Sequence, residues 1–105
     1  MQSTYEILNT AGNLVGAALS VANVDAFNTQ LDFSGAAGTS DIIIEVSMDG
    51  VTWVQLDAWI GKADTDDSVR SGASLVPYNF LRAKTENNTG ITVIATAKLR
   101  TIGQK

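Results

Sequence analysis

The stretch Asp41–Trp59, DIIIEVSMDGVTWVQLDAW, restricts the fold more than any other part of the chain, because two runs rich in β-branched and aromatic residues meet at Asp49-Gly50. Asp-Gly between such runs is a hairpin signal, since both central positions of a two-residue type I′ loop need φ > 0. On that loop Met48 faces Val51, Val46 faces Trp53 and Ile44 faces Gln55, all on the side assigned to the core. The reverse side pairs Ser47 with Thr52, Glu45 with Val54 and Ile43 with Leu56, so it is half apolar and needs cover from a loop or from a second subunit. Trp53 falls on the core side. Trp59, just past the strand and beside Ile60-Gly61, is placed at the surface.

The other segments repeat the β signal. Ala26–Phe33 puts Phe27, Thr29, Leu31 and Phe33 on one face, the period of two of a half-buried strand. Thr4–Leu8 reads as a strand that stops at Asn9-Thr10-Ala11-Gly12, with Met1–Asn13 either an edge strand or an arm reaching a neighbour. Leu14–Ala22 reads as a strand or one short helix, and Gly61–Ser74 as a long polar loop with an edge strand at Ser68–Leu75. Pro77, the only proline, suits the start of a strand, where its missing N–H does no harm. Tyr78–Thr85 and Ile91–Arg100 read as a last hairpin, with Gly90 at the bulge position after Asn87-Asn88-Thr89. Its apolar face joins Ile91, Val93, Ala95, Ala97 and Leu99 to Leu81 and Ala83. Its outer face carries Tyr78, Phe80, Arg82, Lys84, Ile94, Lys98 and Arg100, an aromatic and basic mixture of the kind found at interface anchors. Turns every ~8–14 residues, with no long helical pattern, imply an all-β sandwich, jelly-roll-like, of about seven to eight antiparallel strands in one domain over residues 1–105.

Composition narrows the chemistry. With no His and no Cys, the chain has no disulfide, no thiolate or histidine zinc site and no His-based triad. Asp64-Thr65-Asp66-Asp67 is the only acidic cluster; its alternating oxygen ligands could suit calcium, but it lacks the glycine and distal glutamate of an EF-hand and reads as a solvated loop. No metal, no cofactor and no enzymatic activity are expected. The N-terminal MQSTYEIL lacks a basic n-region and an apolar h-region, and no apolar run approaches membrane-spanning length, so the expected site of synthesis and maturation is the cytoplasm. Residues 1–77 carry a net charge of −8 and residues 78–105 a net of +4. This asymmetry suits either ordinary solvated faces or a docking surface. A pI near 4.4 argues against nucleic acid as a partner.

Ser47-Met48-Asp49-Gly50-Val51-Thr52-Trp53 resembles the S-x-D-G-x-T-W hairpin of small bacteriophage virion proteins, and Tyr78–Lys84 with Thr92–Leu99 resembles their closing strands. Over Asp41–Leu99 the chain is similar to phage head-decoration or cement proteins with a jelly-roll fold. The hairpin is also similar to the sialidase Asp-box, S-x-D-x-G-x-T-W, but lacks the residue between Asp and Gly. The cement resemblance implies a homotrimer on the capsid surface of a virion, made in the host cytoplasm, that bridges subunits of the major capsid protein. Expected contact surfaces are Tyr78, Phe80, Arg82 and Lys84 on one side and Ile43, Val54 and Leu56 on the other, and reversing the charges of Arg82 and Lys84 together is expected to abolish shell binding with the fold intact. The alternative is a carbohydrate or receptor-binding module of a tail or fibre, with Trp59 and Tyr78 stacking on a sugar ring.

Overall fold

The structure, a computed structural model, describes residues 2–21, 26–35, 38–63, 68–71 and 78–100. The acidic run Asp64, Asp66 and Asp67 and the strand start at Pro77 lie outside the described residues. Eight strands follow in order: β1 Gln2–Thr10, β2 Leu19–Ser20, β3 Ala26–Gly35, β4 Ser40–Ser47, β5 Val54–Lys62, β6 Ser68–Ser71, β7 Phe80–Glu86 and β8 Ile91–Arg100. They form two four-stranded sheets, ordered β1-β8-β3-β6 and β2-β7-β4-β5. Every pairing is antiparallel. β1 pairs with β8, β2 with β7, β3 with β6 and β4 with β5, as in one long hairpin with the β4–β5 loop at its tip. Rolling that ribbon up adds the β3–β8 and β4–β7 pairings and produces the jelly roll.

Alternation along the strands decides what the sandwich encloses. Leu31 and Phe33 of β3, Ile42, Ile44 and Val46 of β4, Leu81 and Ala83 of β7, and Ile91 through Leu99 at every second position of β8 all face inward and are buried. Each large side chain among them gains about 1.5–3 kcal/mol from leaving water. Ile7, Leu8 and Val21 close the core.

Four sequence expectations change. First, β7 and β8 are not a hairpin: β7 lies between β2 and β4, β8 between β1 and β3, so Asn87–Gly90 carries the chain from one sheet to the other. Asn87 at φ 53° and Gly90 at φ 114° take the left-handed conformations that this crossing needs. Alternation cannot separate the two arrangements, because a hairpin and an inter-sheet crossing both turn Leu81 and Val93 toward one core.

Second, the β4–β5 connection is longer than two residues. The last paired residues are Val46 and Val54, and a bulge between Ile44 and Glu45 leaves Leu56 unopposed. Third, β5 runs on to Lys62, past the point where the turn-like Ile60-Gly61 suggests an end. Fourth, of the strand and the short helix open for Leu14–Ala22, the strand is found, but shortened to β2 with an isolated bridge from Val15 to Lys84. Here Gly16 donates its N–H to Ala83 O at 2.8 Å, and a Cβ on Gly16 would strike the carbonyl oxygens of Ile7 and Ala83. Of the two options for the N-terminus, β1 is an edge strand, paired with β8 from Gln2 onward.

A candidate interaction face on the second sheet

Along β7 the residues alternate between the core and the outer surface, with Phe80, Arg82 and Lys84 half-buried on the outside. Register places Ser47, Glu45 and Ile43 of β4 directly beside them. Ile43 therefore lies on the same side of the sheet as Phe80, Arg82 and Lys84, but at 8% exposed it is buried there rather than offered as the contact expected of it. The remaining expected contact residues lie elsewhere. Tyr78 and Leu56 pack against the core, and Val54 is exposed at the β5 edge. Ile94 and Lys98 belong to β8 and so to the other sheet.

Glu45 dominates the electrostatics of this face. Arg82 Nε donates to Glu45 Oε1 at 2.8 Å, and Lys84 Nζ reaches Glu45 Oε2 at 3.3 Å and Glu86 Oε2 at 3.4 Å. The Glu45 side chain is only 10% exposed beneath these two cations, which are 23% and 21% exposed. Burial disfavours the charge on Lys84 and is the largest single influence on it. The hydrogen bonds and fields of Glu45 and Glu86 together outweigh burial and hold the ammonium above the ordinary lysine value. The contribution of this raised pKa to stability is complete below the unfolded lysine value of ~10.4 and is lost only as pH rises through the folded value. The face expected to be basic is a locked network of two cations and two carboxylates.

Trp53 completes the network, with the Arg82 guanidinium carbon 4.0 Å from the centroid of its ring. The two tryptophans have exchanged their expected roles. Trp53 lies in the loop and covers the outer face, while Trp59, opposite Ile42, is 4% exposed in the core. Sequence reasoning missed Glu45 and Trp53 as members of the face. Glu45 alternates with Ile43 and Ser47, but its pairing with Arg82 becomes visible only when β4 and β7 are known to be neighbours.

The loop between β4 and β5 is held by its own side chains. Asp49 Oδ1 accepts from the N–H of Val51 and of Thr52, each at 2.8 Å, and from the Ser47 hydroxyl at 3.0 Å. Ser47 Oγ in turn accepts from the N–H of Asp49 at 3.2 Å and of Gly50 at 2.8 Å. Four consecutive backbone donors thus end on two short polar side chains, which is why the loop has no need of a type I′ turn. Donation from Thr52, Val51 and Ser47 holds the Asp49 carboxyl below the usual aspartate range. A carboxyl that titrates lower in the folded than in the unfolded chain supplies stability above ~3.9, and that stability fades as pH falls through the folded value. Asp49→Ala should therefore lower Tm at pH 7, with the gap to wild type closing as pH falls below about 4. Thermal melts of both proteins from pH 7 to pH 2 check this, and a gap independent of pH would contradict it.

At the other end of the sheet Asp41 plays a similar part. Its Oδ2 accepts from Asn87 Nδ2 and its Oδ1 from Gly61 N–H, both at 2.8 Å, and these bonds, Asn87 first, lower its pKa. Close by, an open groove of about 470 Å³ runs between Asn13–Val15 and Lys84–Asn87. Its polar groups already serve the chain: the Thr85 hydroxyl donates to Gly12 O, Asn13 Oδ1 accepts from Asn88 N–H, and Lys84 is in the ion network. Among the described residues no three His, Cys, Asp or Glu side chains gather as a metal site, and no helix is long and apolar enough to cross a membrane.

No protein-family model matches the sequence, and no curated protein does. A solved structure, that of the SPBc2 prophage-derived protein YomS, superposes with a TM-score of 0.69 over 95% of this chain and 94% of its own. The two sequences are 8% identical, so what they share is the fold, nearly end to end.

Proposed function

We propose that this chain is a non-enzymatic bacteriophage virion protein, a capsid cement or decoration subunit that bridges neighbouring copies of the major capsid protein as a homotrimer on the head surface. The observation that carries the reading is the near-complete overlap with the fold of a prophage-derived protein. The virion-type hairpin at Ser47–Trp53 and the strands around Phe80–Lys84 point the same way.

A cement subunit works by differential affinity: it stabilises whichever state of the shell it binds more tightly, and three linked sites multiply a weak contact. The outer face of the second sheet suits this role. Glu45 holds Arg82 and Lys84 in place and Trp53 packs on Arg82, beside Phe80 and the buried Ile43, so docking there orders few additional side chains. Val54 borders the same sheet, and Tyr78 and Leu56 support it from the core side. The glycan-binding alternative loses one of its two stacking residues, since Trp59 is buried while Tyr78 is only partly so.

Co-sedimentation with shells of the phage that carries the gene, before and after expansion, tests the reading. Binding to expanded shells alone, with a higher temperature of shell disruption, is the expected result. Absence of binding to either form, or a sugar-dependent change in Trp fluorescence, would overturn it.

A further inference from the structure

Of the large apolar side chains exposed among the described residues, three lie together at one end of the second sheet. Met48 is 62% exposed, Val51 80% and Val54 52%, all on or next to the β4–β5 loop. Between Met48 and Val54 lies a small dimple with Tyr78 in its wall. A flexible loop would fold such residues back onto the protein. This one cannot, because the N–H groups of Asp49 through Thr52 are all bound to Ser47 and Asp49. From outside the loop, Asn79 clamps Ser47 O at 2.9 Å and Met48 O at 3.0 Å.

The result is a rigid knob that holds its hydrophobic side chains in water. Burying Val51 or Met48 against a partner removes apolar surface from water, with little loop-ordering cost to set against it. The knob is also continuous with the face described above. Gly50 lies over the Phe80 ring, with no more than a methyl group's room between them, and Trp53 stacks on Arg82.

Charge narrows the choice of partner. Asp49 is the only charged residue from Ser47 to Val54, and it is exposed. An anionic lipid surface would repel it, whereas a protein socket with a cationic rim would complement it.

We infer that the Met48–Trp53 loop is the principal anchor of this protein on its shell, an apolar knob with an acidic shoulder that enters an apolar, cation-rimmed socket on the coat subunit. The inference rests on the cement reading and deepens it. It makes Val51 and Met48, rather than Arg82 and Lys84, the residues whose loss releases the protein.

The test uses the full chain and its expanded shells, with Val51→Asp, the milder Val51→Ser, and Met48→Ser. Gln30→Glu, on the outside of the other sheet, serves as control. Each knob variant should weaken shell binding at least about tenfold while its Tm stays close to wild type, and the control should bind normally. Because Val51 is exposed, Val51→Ser keeps the test valid if the charged variant folds poorly. Wild type that binds no shell removes the cement reading and the inference with it. Wild type that binds, with knob variants that bind equally well, overturns the inference alone. Two further results overturn it in favour of another occupant: a soluble wild-type oligomer that Val51→Ser dissociates without loss of shell binding, or retention of wild type on anionic phosphatidylserine vesicles that Val51→Ser abolishes.

Discussion

Replacing Trp59 by alanine should cost about 3–5 kcal/mol of stability, whereas the same change at Trp53 should cost about 1 kcal/mol. Trp59 is 4% exposed, opposite Ile42 and within the buried cluster that both sheets contribute to, so truncation leaves a cavity in the core. Trp53 is half-buried, and its removal takes away a cation–π contact with Arg82 and part of the cover over the ion network. For a domain of this size the first change corresponds to a fall in Tm of roughly 12–40 °C and the second to well under 10 °C. Urea titration followed by circular dichroism measures both. A smaller loss for Trp59→Ala than for Trp53→Ala would mean that β5 does not continue past Trp59 in register with β4.

Reversing both charges, Arg82→Glu with Lys84→Glu, should destabilise the protein by about 3 kcal/mol or more. The original side chains neutralise Glu45, whose side chain is only 10% exposed. The double variant would set three carboxylates together there, with Glu86 close by, a large share of the 5–15 kcal/mol that holds a domain folded. Loss of shell binding in that variant would report unfolding as much as a lost contact. Adding Glu45→Lys should restore much of the stability by recreating opposite charges. A triple variant no more stable than the double one would show that the network acts through packing of the long side chains rather than through charge.

Much of the fold was legible because inward and outward residues alternate so cleanly. Thr29, Leu31 and Phe33 on β3, and Ile91 through Leu99 on β8, needed only a period of two to be assigned to the core. The same regularity hid the sheet partners. A strand with one apolar face says that it borders the core and nothing about which sheet it joins, so β7 and β8 looked like a hairpin when they lie in opposite sheets. The candidate face was half legible for the same reason. Phe80, Arg82 and Lys84 could be placed on the outside of β7 from spacing alone. That Ile43 and Glu45 stand beside them depends on β4 pairing with β7 across more than thirty intervening residues, a long-range contact with no local signature.

The β4–β5 loop shows where local chemistry and register part. Asp49-Gly50 does mark a turn, and Gly50 does sit at φ 79°. The carboxylate of Asp49 and the hydroxyl of Ser47 then capture the loop's N–H groups, so that pairing begins at Val46 and Val54, one residue out of the register expected for a two-residue loop. A shift of one residue moves a side chain to the other face, and Trp53 moved with it.

The sequence by itself determined that this is an all-β domain, which residues of most strands face inward, and that histidine and cysteine chemistry is absent, because strand period and residue identity are local properties. Only the tertiary structure decided the strand order, the exchanged roles of the two tryptophans, the neutralisation of Arg82 and Lys84 by Glu45, and the exposure of Met48 and Val51 on a rigid loop. Each of these follows from which strand lies beside which, and that choice is made by the packing of the whole core rather than by any one segment.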